Sequence, residues 1–239
     1  HYDSRQVAPG SLFVCIPGLK TDGHLFSQEA VAKGAVALVV ERPVEVPGGV
    51  TVIKVPDARV ALAKLAACFY GHPSRRFNLI GVTGTNGKTS TTFLLDAIFR
   101  RWGQKTGLLG TIANRIGDEV MPTSHTTPES LELQKMFKLM ADAHTDYVMM
   151  EVSSHALSLN RVVDAEFDIG IFTNLTRDHL DFHRDFEDYR EAKGKLFSFL
   201  SAGSKSRPKY GLVNKDDPNS NYFMEISQVP VLTYSLVQP

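Results

Sequence analysis

Residues 81–90 read GVTGTNGKTS, and this glycine-rich stretch decides the fold of the segment around it. The apolar run at 79–82 predicts a buried strand that leads into it. A strand that turns into a helix through glycines brings several backbone N–H groups and the positive end of the helix to one point. Such a turn is suited to a chain of phosphate groups. The helix predicted after the turn ends at Gly103 and carries apolar side chains at Phe93, Leu94, Ala97, Ile98 and Phe99.

The side chains of the turn indicate a nucleoside triphosphate. Lys88 would reach the β- and γ-phosphates, and the Thr89 hydroxyl would bind Mg²⁺. The strict P-loop pattern begins with a glycine where this chain has Val82, and here the first glycine is Gly84, which shortens the loop. A glycine-rich turn without chemical use is the alternative. We expect ATP or a similar nucleotide to bind Gly84, Thr85, Asn86, Gly87, Lys88, Thr89 and Ser90.

Composition argues against several partners. The 239 residues include 26 basic and 26 acidic side chains, so neither a nucleic acid nor an anionic membrane is expected as the main partner. The longest apolar runs, such as 35–40, are far shorter than the ~20 residues that cross a bilayer. Cys15 and Cys68 match no metal or disulfide spacing, and we expect both to be buried thiols. A cytoplasmic monomer is therefore expected.

Strand and helix patterns alternate along the chain, which predicts an α/β fold with a mostly parallel sheet flanked by helices. Gly71 and Pro73 interrupt this alternation, so we expect two domains, at 1–74 and 75–239. Both ends of the chain adjoin strand patterns, so we expect it to be part of a longer protein with an incomplete central sheet. Strands are predicted at 12–16, 35–40, 51–55, 79–82, 106–109, 147–152, 169–173, 210–214 and 231–234.

Three further helices are predicted from their caps and apolar residues. One spans 26–33, and a second spans 58–70 with Asp57 as its N-cap. Pro128 is expected in the first turn of the third. Its apolar residues, which predict a face packed on the core, are Leu131, Leu133, Met136, Phe137 and Met140.

Acidic and imidazole side chains follow two later strands, at the edge where an open α/β sheet places its ligands. Glu151 ends one strand, and a carboxylate there is placed to hold Mg²⁺. The segment NLTRDHLDFH contains Asp178, His179, Asp181 and His183. Metal binding, phosphate binding and helix capping by Asp178 all remain open for this cluster. No cysteine or carboxylate spacing completes a zinc site.

Four segments resemble the Mur ligase family in their order and spacing: GVTGTNGKTSTT, MEVSSHALSLNRV, FTNLTRDHLDFH and YREAKGKLF. The resemblance extends to the amino-terminal half through DSRQVAPGSLFVCIPGLKTDGHLF. It implies a small α/β uridine-nucleotide-binding domain followed by a P-loop-type central ATPase domain that is incomplete here. The implied activity is that of an ATP-dependent amide ligase of peptidoglycan synthesis.

The implied reaction activates a carboxylate of the substrate with ATP as an acyl phosphate, which an amine attacks to give an amide, ADP and phosphate. The implied substrates are UDP-MurNAc-L-Ala-D-Glu and an amino acid, with meso-diaminopimelate favoured over L-lysine. Lys88, His179 and Lys193 would be catalytic. Two Mg²⁺ sites are implied, with Thr89 and Glu151 at one. His179 and Glu151 would hold the second.

Lys193 takes the family position of a lysine that CO₂ carbamylates, which would convert a cation into an oxygen ligand for Mg²⁺ and make Lys193 a metal ligand. Taken without the resemblance, a lysine followed by Gly194 and Lys195 on a helix indicates a solvated face instead. The modification itself cannot be deduced from the residues.

The resemblance also assigns residues to the nucleotide-sugar peptide, which should lie between the two halves. The planar fork of Arg161 can grip a carboxylate by two hydrogen bonds. For Thr126 and Thr127 the alternative role is that of an N-cap ahead of Pro128. For Ser4 the alternative is an ordinary turn. The assigned residues are Tyr2 and Ser4 at the uracil, Leu19, Lys20 and Thr21 at the diphosphate, and Thr126, Thr127, Ser153 and Arg161 at the muramoyl peptide.

Other functions remain open. Another Mur ligase or a folylpolyglutamate synthase-like enzyme shares the loop and metal residues. The amino-terminal domain with Asp3-Ser4-Arg5 and the segment with Thr126 and Thr127 argue against the folate enzyme, which lacks a uridine-binding half. A non-catalytic nucleotide-sensing module would not need Glu151, His179 and Lys193 together. The family has a third, carboxy-terminal domain that this chain does not reach. We therefore expect the 239 residues alone to bind weakly and not to turn over.

Overall fold

The computed structural model describes residues 1–18, 21–123 and 125–237, which form two compact units, His1–Ala66 and Ala67–Pro239. The domain boundary predicted at residue 74 lies a few residues after this division and stays a prediction. The predicted α/β fold is confirmed, with a small parallel sheet in the first unit and a larger, mostly parallel sheet in the second. No helix in the described part of the chain has the length and apolar content of a bilayer span.

The first unit contains a three-stranded parallel sheet in the order β1-β2-β3. Phe13 and Leu38 lie on this sheet and are fully buried, and they pack with Ala30 of the first helix. Asp57 caps the second helix as predicted, because its Oδ1 accepts the N–H of Val60 at 2.8 Å. The elements are β1 (Leu12–Val14), α1 (Ser27–Ala32), β2 (Ala37–Val40), β3 (Thr51–Lys54) and α2 (Ala58–Phe69).

The prediction of two buried cysteines is wrong for one of them. Cys15 is fully buried, but Cys68 near the end of α2 is exposed. Helix α2 buries Leu62, Ala63 and Ala66, which recur at intervals of one and three residues along one face. Cys68 lies outside that face, so its thiol reaches solvent.

The second unit is an eight-stranded sheet in the order β11-β10-β9-β4-β8-β5-β6-β7. The strands from β11 to β5 run parallel, and the hairpin β6–β7 pairs antiparallel with β5. Its strands are β4 (Asn78–Thr83), β5 (Thr106–Leu109), β6 (Asn114–Ile116), β7 (Glu119–Met121), β8 (Tyr147–Glu151), β9 (Ile169–Phe172), β10 (Tyr210–Asn214) and β11 (Val231–Tyr234). Its helices are α3 (Lys88–Arg101), α4 (Ser130–Asp142), α5 (Ser154–Ser158), α6 (Phe186–Leu200) and α7 (Ser220–Ile226).

Helices cover both faces of the central strands, which explains their nearly continuous apolar sequences. Successive side chains of a strand point to opposite faces. Leu79 of β4 therefore belongs to the apolar cluster that contains Phe137 of α4 and Leu196 of α6. Ile80, the next residue, belongs to a second cluster, against which Phe93 of α3 packs. Met140 and Met149 are fully buried core residues, as their apolar settings predict.

Two local features of the helices in the second unit differ from the predictions. Helix α4 begins at Ser130 with Glu129 as its N-cap, so Pro128 precedes the helix. Leu94 and Ile98 lie on the outer side of α3 and are 64% and 62% exposed. A helix that packs on a sheet buries only one side, and α3 uses that side for Phe93 and neighbouring residues.

The hairpin β6–β7 has no counterpart among the predicted elements. Its strands have three residues each, too short for a clear periodic pattern. A buried polar network attaches it to α3. Asp96 of α3 is 4% exposed, accepts a hydrogen bond from Thr106 Oγ1 at 2.7 Å and pairs with Arg115 of β6.

A buried ion pair closes the amino-terminal edge of the sheet. Lys205 Nζ lies 2.5 Å from Asp168 Oδ2, and the two side chains are 3% and 4% exposed. Lys205 Nζ also donates to the carbonyl oxygens of Phe77 and Glu166, at 3.0 and 2.7 Å. Asp168 Oδ2 accepts the backbone N–H of Leu79 at 2.7 Å. The pair therefore joins the segment before β10 to the starts of β4 and β9.

Lys205→Met should destabilise the fold strongly, because it leaves the Asp168 carboxylate buried without its cation. Loss of one partner of a buried ion pair costs about 3–5 kcal/mol. Urea denaturation should show this loss against wild type, whereas Lys135→Met, on an exposed position of α4, should change the free energy of unfolding little. An unchanged denaturation midpoint in Lys205→Met would contradict the role of the pair.

Candidate active site

The glycine loop lies at the carboxyl end of β4, where only glycine fits at one position. Gly84 has a φ of +145°, which L-residues with a side chain rarely adopt. A Cβ on Gly84 would lie 2.0 Å from Thr173 Oγ1 at the end of β9, far inside contact distance. Gly87, with a φ of +85°, is the N-cap of α3. The loop therefore turns tightly against the neighbouring strand and enters the helix directly.

Lys88 is the first residue of α3, and its side chain folds back over the loop. Its Nζ donates to the carbonyl oxygens of Gly84 and Thr85, at 2.8 and 2.7 Å. Burial lowers the pKa of Lys88, and the negative charges of Glu151 and Asp178 oppose this shift. The first N–H groups of a helix have no partners within the helix, and they carry its positive dipole end. The start of α3 thus combines a cation with backbone donors, as an anion site requires.

Glu151, at the end of β8, is the central carboxylate of the site and is 1% exposed. Its Oε2 accepts hydrogen bonds from Thr89 Oγ1 at 2.9 Å and Thr111 Oγ1 at 3.2 Å, and its Oε1 accepts the N–H of Thr111 at 2.9 Å. A buried carboxylate held only by neutral donors is well prepared for a cation. The carboxylate of Glu151 and the hydroxyl of Thr89 are oxygen ligands of the type that Mg²⁺ prefers.

Lys193 of α6 is buried within the site, with 1% of its surface exposed, so the solvated-face alternative is wrong. Its Nζ donates to Gly84 O at 2.8 Å and lies 4.5 Å from the ring centroid of Tyr189. Burial holds the pKa of Lys193 well below its usual range, and the charge of Lys88 acts in the same direction. One turn earlier on α6, Tyr189 OH lies 3.1 Å from Thr85 Oγ1, which ties this helix to the loop.

His179 follows β9 in a left-handed backbone conformation, with a φ of +52°. Its side chain is 43% exposed, and its Nε2 lies 3.6 Å from Asp178 Oδ2. Of the three alternatives left open for this cluster, helix capping by Asp178 is wrong, because Asp185 caps α6 by accepting the N–H of Asp188 at 2.8 Å. Across residues 1–18, 21–123 and 125–237, no three His, Cys, Asp or Glu side chains are grouped so that they could hold a metal.

These side chains line one cleft of about 250 Å³. Gly84 and Ser90, also predicted to bind nucleotide, belong to the same loop and helix start, and Ser90 is exposed. Thr111 and Ser154 also line the cleft and were missed. Thr111 stands outside the four recognised segments, and Ser154 lies in MEVSSHALSLNRV, where only Glu151, Ser153 and Arg161 were given a role. The predicted residues that the cleft brings together are Thr85, Asn86, Gly87, Lys88, Thr89, Thr126, Glu151, Ser153, His179 and Lys193.

Thr127 and Arg161 form a network next to this cleft. Thr127 Oγ1 donates to Glu151 O at 2.8 Å and accepts the N–H of Ser153 at 3.1 Å. The N-cap of α4 is Glu129, so neither Thr126 nor Thr127 caps that helix. Arg161 Nη1 donates to Thr127 O at 3.2 Å, and its Nε lies 2.6 Å from Glu129 Oε1. Glu129 is a further residue that sequence reasoning missed.

The remaining predicted residues belong to the first unit. Ser4 lies in a short turn in which Asp3 Oδ1 accepts the N–H of Arg5 at 3.0 Å, as the ordinary-turn alternative expects. Tyr2 is half-buried, and Thr21 is exposed, with its carbonyl oxygen accepting the N–H of Gly18 at 3.0 Å. Their contacts with a uridine nucleotide stay predictions. Leu19 and Lys20 lie outside the described residues.

The sheet order, the glycine loop at a strand end and the buried carboxylate beside it are those of a P-loop-type nucleotide-binding domain. Residues 82–239 match the Mur ligase middle domain, and residues 1–70 match the Mur ligase family catalytic domain, so the chain belongs to the Mur ligase family. Membership of this family implies ATP binding.

Among individual proteins, the chain is 51% identical over 235 residues to the UDP-N-acetylmuramoyl-L-alanyl-D-glutamate--2,6-diaminopimelate ligase of Geobacillus thermodenitrificans, covering 98% of this chain and 48% of that protein. A solved structure of a UDP-N-acetylmuramoyl-L-alanyl-D-glutamate--2,6-diaminopimelate ligase superposes with a TM-score of 0.84 at 29% identity, over 100% of this chain and 48% of the other. A Mycobacterium tuberculosis folylpolyglutamate synthase shares the fold, with a TM-score of 0.57 at 16% identity over 75% of this chain and 48% of the other. The chain thus spans about half the length of the curated relatives it matches.

Gly84→Ala should distort the loop and weaken ADP binding by at least about 10-fold, the equivalent of one good hydrogen bond. The reason is the 2.0 Å approach of a Cβ to Thr173 Oγ1. Isothermal titration with ADP on the full-length protein measures the effect. Gly103→Ala is the control, since Gly103 also has a positive φ but has nothing within 4 Å of its Cβ position. Equal ADP affinity of both variants would contradict the steric argument.

Proposed function

We propose that the protein is an ATP-dependent ligase that joins meso-diaminopimelate to UDP-MurNAc-L-Ala-D-Glu in peptidoglycan synthesis. The observation that supports this most is the convergence of Lys88, Glu151 and Lys193 on one glycine loop, in a cleft that also includes Thr126 and Ser153. The activity of the relative at 51% identity, a UDP-N-acetylmuramoyl-L-alanyl-D-glutamate--2,6-diaminopimelate ligase, supports the choice of substrates. It also favours diaminopimelate over lysine as the amine.

The proposed reaction has two steps. An oxygen of the substrate carboxylate attacks the γ-phosphorus of ATP, the bond to the bridging oxygen of ADP breaks, and ADP leaves. The amine nitrogen then attacks the acyl carbon, phosphate leaves with the bonding electrons, and the nitrogen loses a proton. Lys88 and the N–H groups at the start of α3 would stabilise the negative charge on the transferred phosphoryl group, which is the main catalytic task in such transfers.

The residues present fit a Mg²⁺ ion beside the phosphates. Thr89 Oγ1 and Glu151 Oε2 lie 2.9 Å apart, and both are oxygen ligands. Bound Mg²⁺ would neutralise part of the phosphate charge. A second ion, held by Glu151 and His179 with a modified Lys193, is part of the same proposal.

Carbamylation of Lys193 is supported by its surroundings. Its Nζ is buried, and its lowered pKa favours the neutral amine. The neutral nitrogen adds to the carbon of CO₂ and releases a proton, which gives an anionic carbamate. This change replaces a buried amine, now bonded to Gly84 O at 2.8 Å, with an anionic oxygen ligand.

Arg161 is proposed to bind a carboxylate of the muramoyl peptide. Its Nη1 donates one N–H to Thr127 O, and its Nε lies 2.6 Å from Glu129 Oε1 in an ion pair without hydrogen-bond geometry. The Nη2 group and the second N–H of Nη1 then remain to grip a carboxylate end-on. Contacts of Tyr2, Ser4 and the residues at 19–21 with the uridine diphosphate are proposed on the family resemblance alone.

Phosphate release by the full-length protein tests the function. With UDP-MurNAc-L-Ala-D-Glu, ATP and Mg²⁺, we expect release on addition of meso-diaminopimelate and little with L-lysine. Omission of the nucleotide-sugar peptide is the control. No release with either amine would refute the ligase assignment, and release with lysine alone would change the amine. Nucleotide binding without any release would favour the sensing module. A cytoplasmic, monomeric state and the inactivity of these 239 residues alone stay predictions.

Lys193→Ala in the full-length enzyme should lower kcat by at least about 100-fold, the scale of losing one electrostatic stabiliser. A short carboxylic acid added to the assay should restore part of the activity by occupying the vacated space. Lys195→Ala, two residues further along α6, should retain activity. Full activity of Lys193→Ala without the added acid would remove Lys193 from the proposed mechanism.

A further inference from the structure

Asn174 follows β9 and binds the glycine loop through three hydrogen bonds. Its side-chain Oδ1 accepts the N–H of Asn86 at 3.0 Å, and its Nδ2 donates to the carbonyl oxygen of the same residue at 3.0 Å. Its backbone oxygen accepts the N–H of Thr85 at 2.8 Å. The side-chain amide therefore pairs with the backbone of Asn86 as a neighbouring strand would.

These bonds restrict which loop amides can bind phosphate. The N–H groups of Thr85 and Asn86 point at Asn174 and are already used. The donors that remain for a phosphate chain are those from Gly87 into the first turn of α3. The loop expected to bind nucleotide at 84–90 thus has an anchored part, Thr85 and Asn86, and a phosphate-binding part that begins at Gly87.

Neighbouring residues anchor the same part of the loop. Thr173 Oγ1 donates to Asn86 O at 2.7 Å, and the N–H of Thr176 donates to Thr85 Oγ1 at 3.0 Å. The side chain of Asn86 takes no part in these bonds. The anchored part is therefore held by the segment after β9 together with the Thr85 hydroxyl of the loop.

We propose that Asn174 is a positioning residue that fixes the direction of the loop at Gly87, and so aims the N–H groups at the start of α3 toward the phosphates of ATP. The inference rests on the proposed function, since it takes ATP as the ligand. Asn174 does not touch the reacting atoms. It acts by holding Asn86 on both its N–H and its carbonyl oxygen.

An amide is required at position 174, because one acceptor and one donor must face Asn86 at once. An ionised aspartate has the same shape but offers acceptors only. One of its oxygens would keep the bond from the Asn86 N–H, and the other would face the Asn86 carbonyl oxygen. It would also place a negative charge beside the phosphate site.

The test compares Asn174→Ala and Asn174→Asp in the full-length protein. Isothermal titration with ATP should give a Kd about 10-fold higher for Asn174→Ala and higher still for Asn174→Asp. The Kd for UDP-MurNAc-L-Ala-D-Glu should stay within about twofold of wild type in both. Hydrogen exchange of the Asn86 amide should be faster in Asn174→Ala. Thermal unfolding checks that each variant is folded. If Asn174→Ala is unfolded, the comparison with wild type uses the isosteric Asn174→Asp alone.

Asn214→Ala is the matched control. Asn214 also closes a strand end through its side-chain amide, which donates to Thr173 O at 2.8 Å and accepts the N–H of Asp216 at 3.1 Å, without a bond to the loop. An ATP Kd within twofold of wild type in both Asn174 variants would overturn the inference, and so would an equal loss in Asn214→Ala. Absence of ATP binding by the wild-type protein would instead refute the proposed function, and with it the inference about Asn174.

Discussion

The close approach of Gly84 to the end of β9 is the constraint on which the site depends. The loop can turn at this point only because no side chain occupies the space beside Thr173. Parallel pairing of β4 with β9 brings the two strand ends level, since Thr83 aligns with Phe172. The loop is therefore shaped by its neighbouring strand as much as by its own glycines, and the direction of α3 follows from that contact.

The sheet then collects charged groups from separate parts of the chain at one edge. Glu151 ends β8, Lys88 begins α3, and Lys193 projects from α6, which packs on the opposite face of the sheet from α3. Burial of unpaired charges is costly, and here neutral hydroxyls and carbonyl oxygens hold them instead. An arrangement of this kind trades stability for readiness to bind ions of opposite charge.

Sequence patterns predicted the structure correctly where the periodicity of apolar residues or a motif was strong. The parallel strands, the loop-to-helix turn and the position of Glu151 all follow from apolar runs that end in polar residues. Burial of Lys193 could not be deduced from its neighbours, because it depends on how α6 packs over the loop. The hairpin β6–β7, the Glu129–Arg161 pair and the role of Asn174 also depend on contacts between distant segments. Local sequence contains no signal for such contacts.

The carbonyl oxygen of Gly84 accepts hydrogen bonds from the amino groups of two lysines, Lys88 and Lys193, each at 2.8 Å. An acceptor with two donors can release one and stay satisfied, so either lysine can leave without exposing a bare oxygen in a dry environment. Gly84, where the loop turns most tightly, therefore has a second hydrogen-bond donor for its carbonyl oxygen. An arriving anion can therefore draw one of the two amino groups away while Gly84 O keeps the other as its donor.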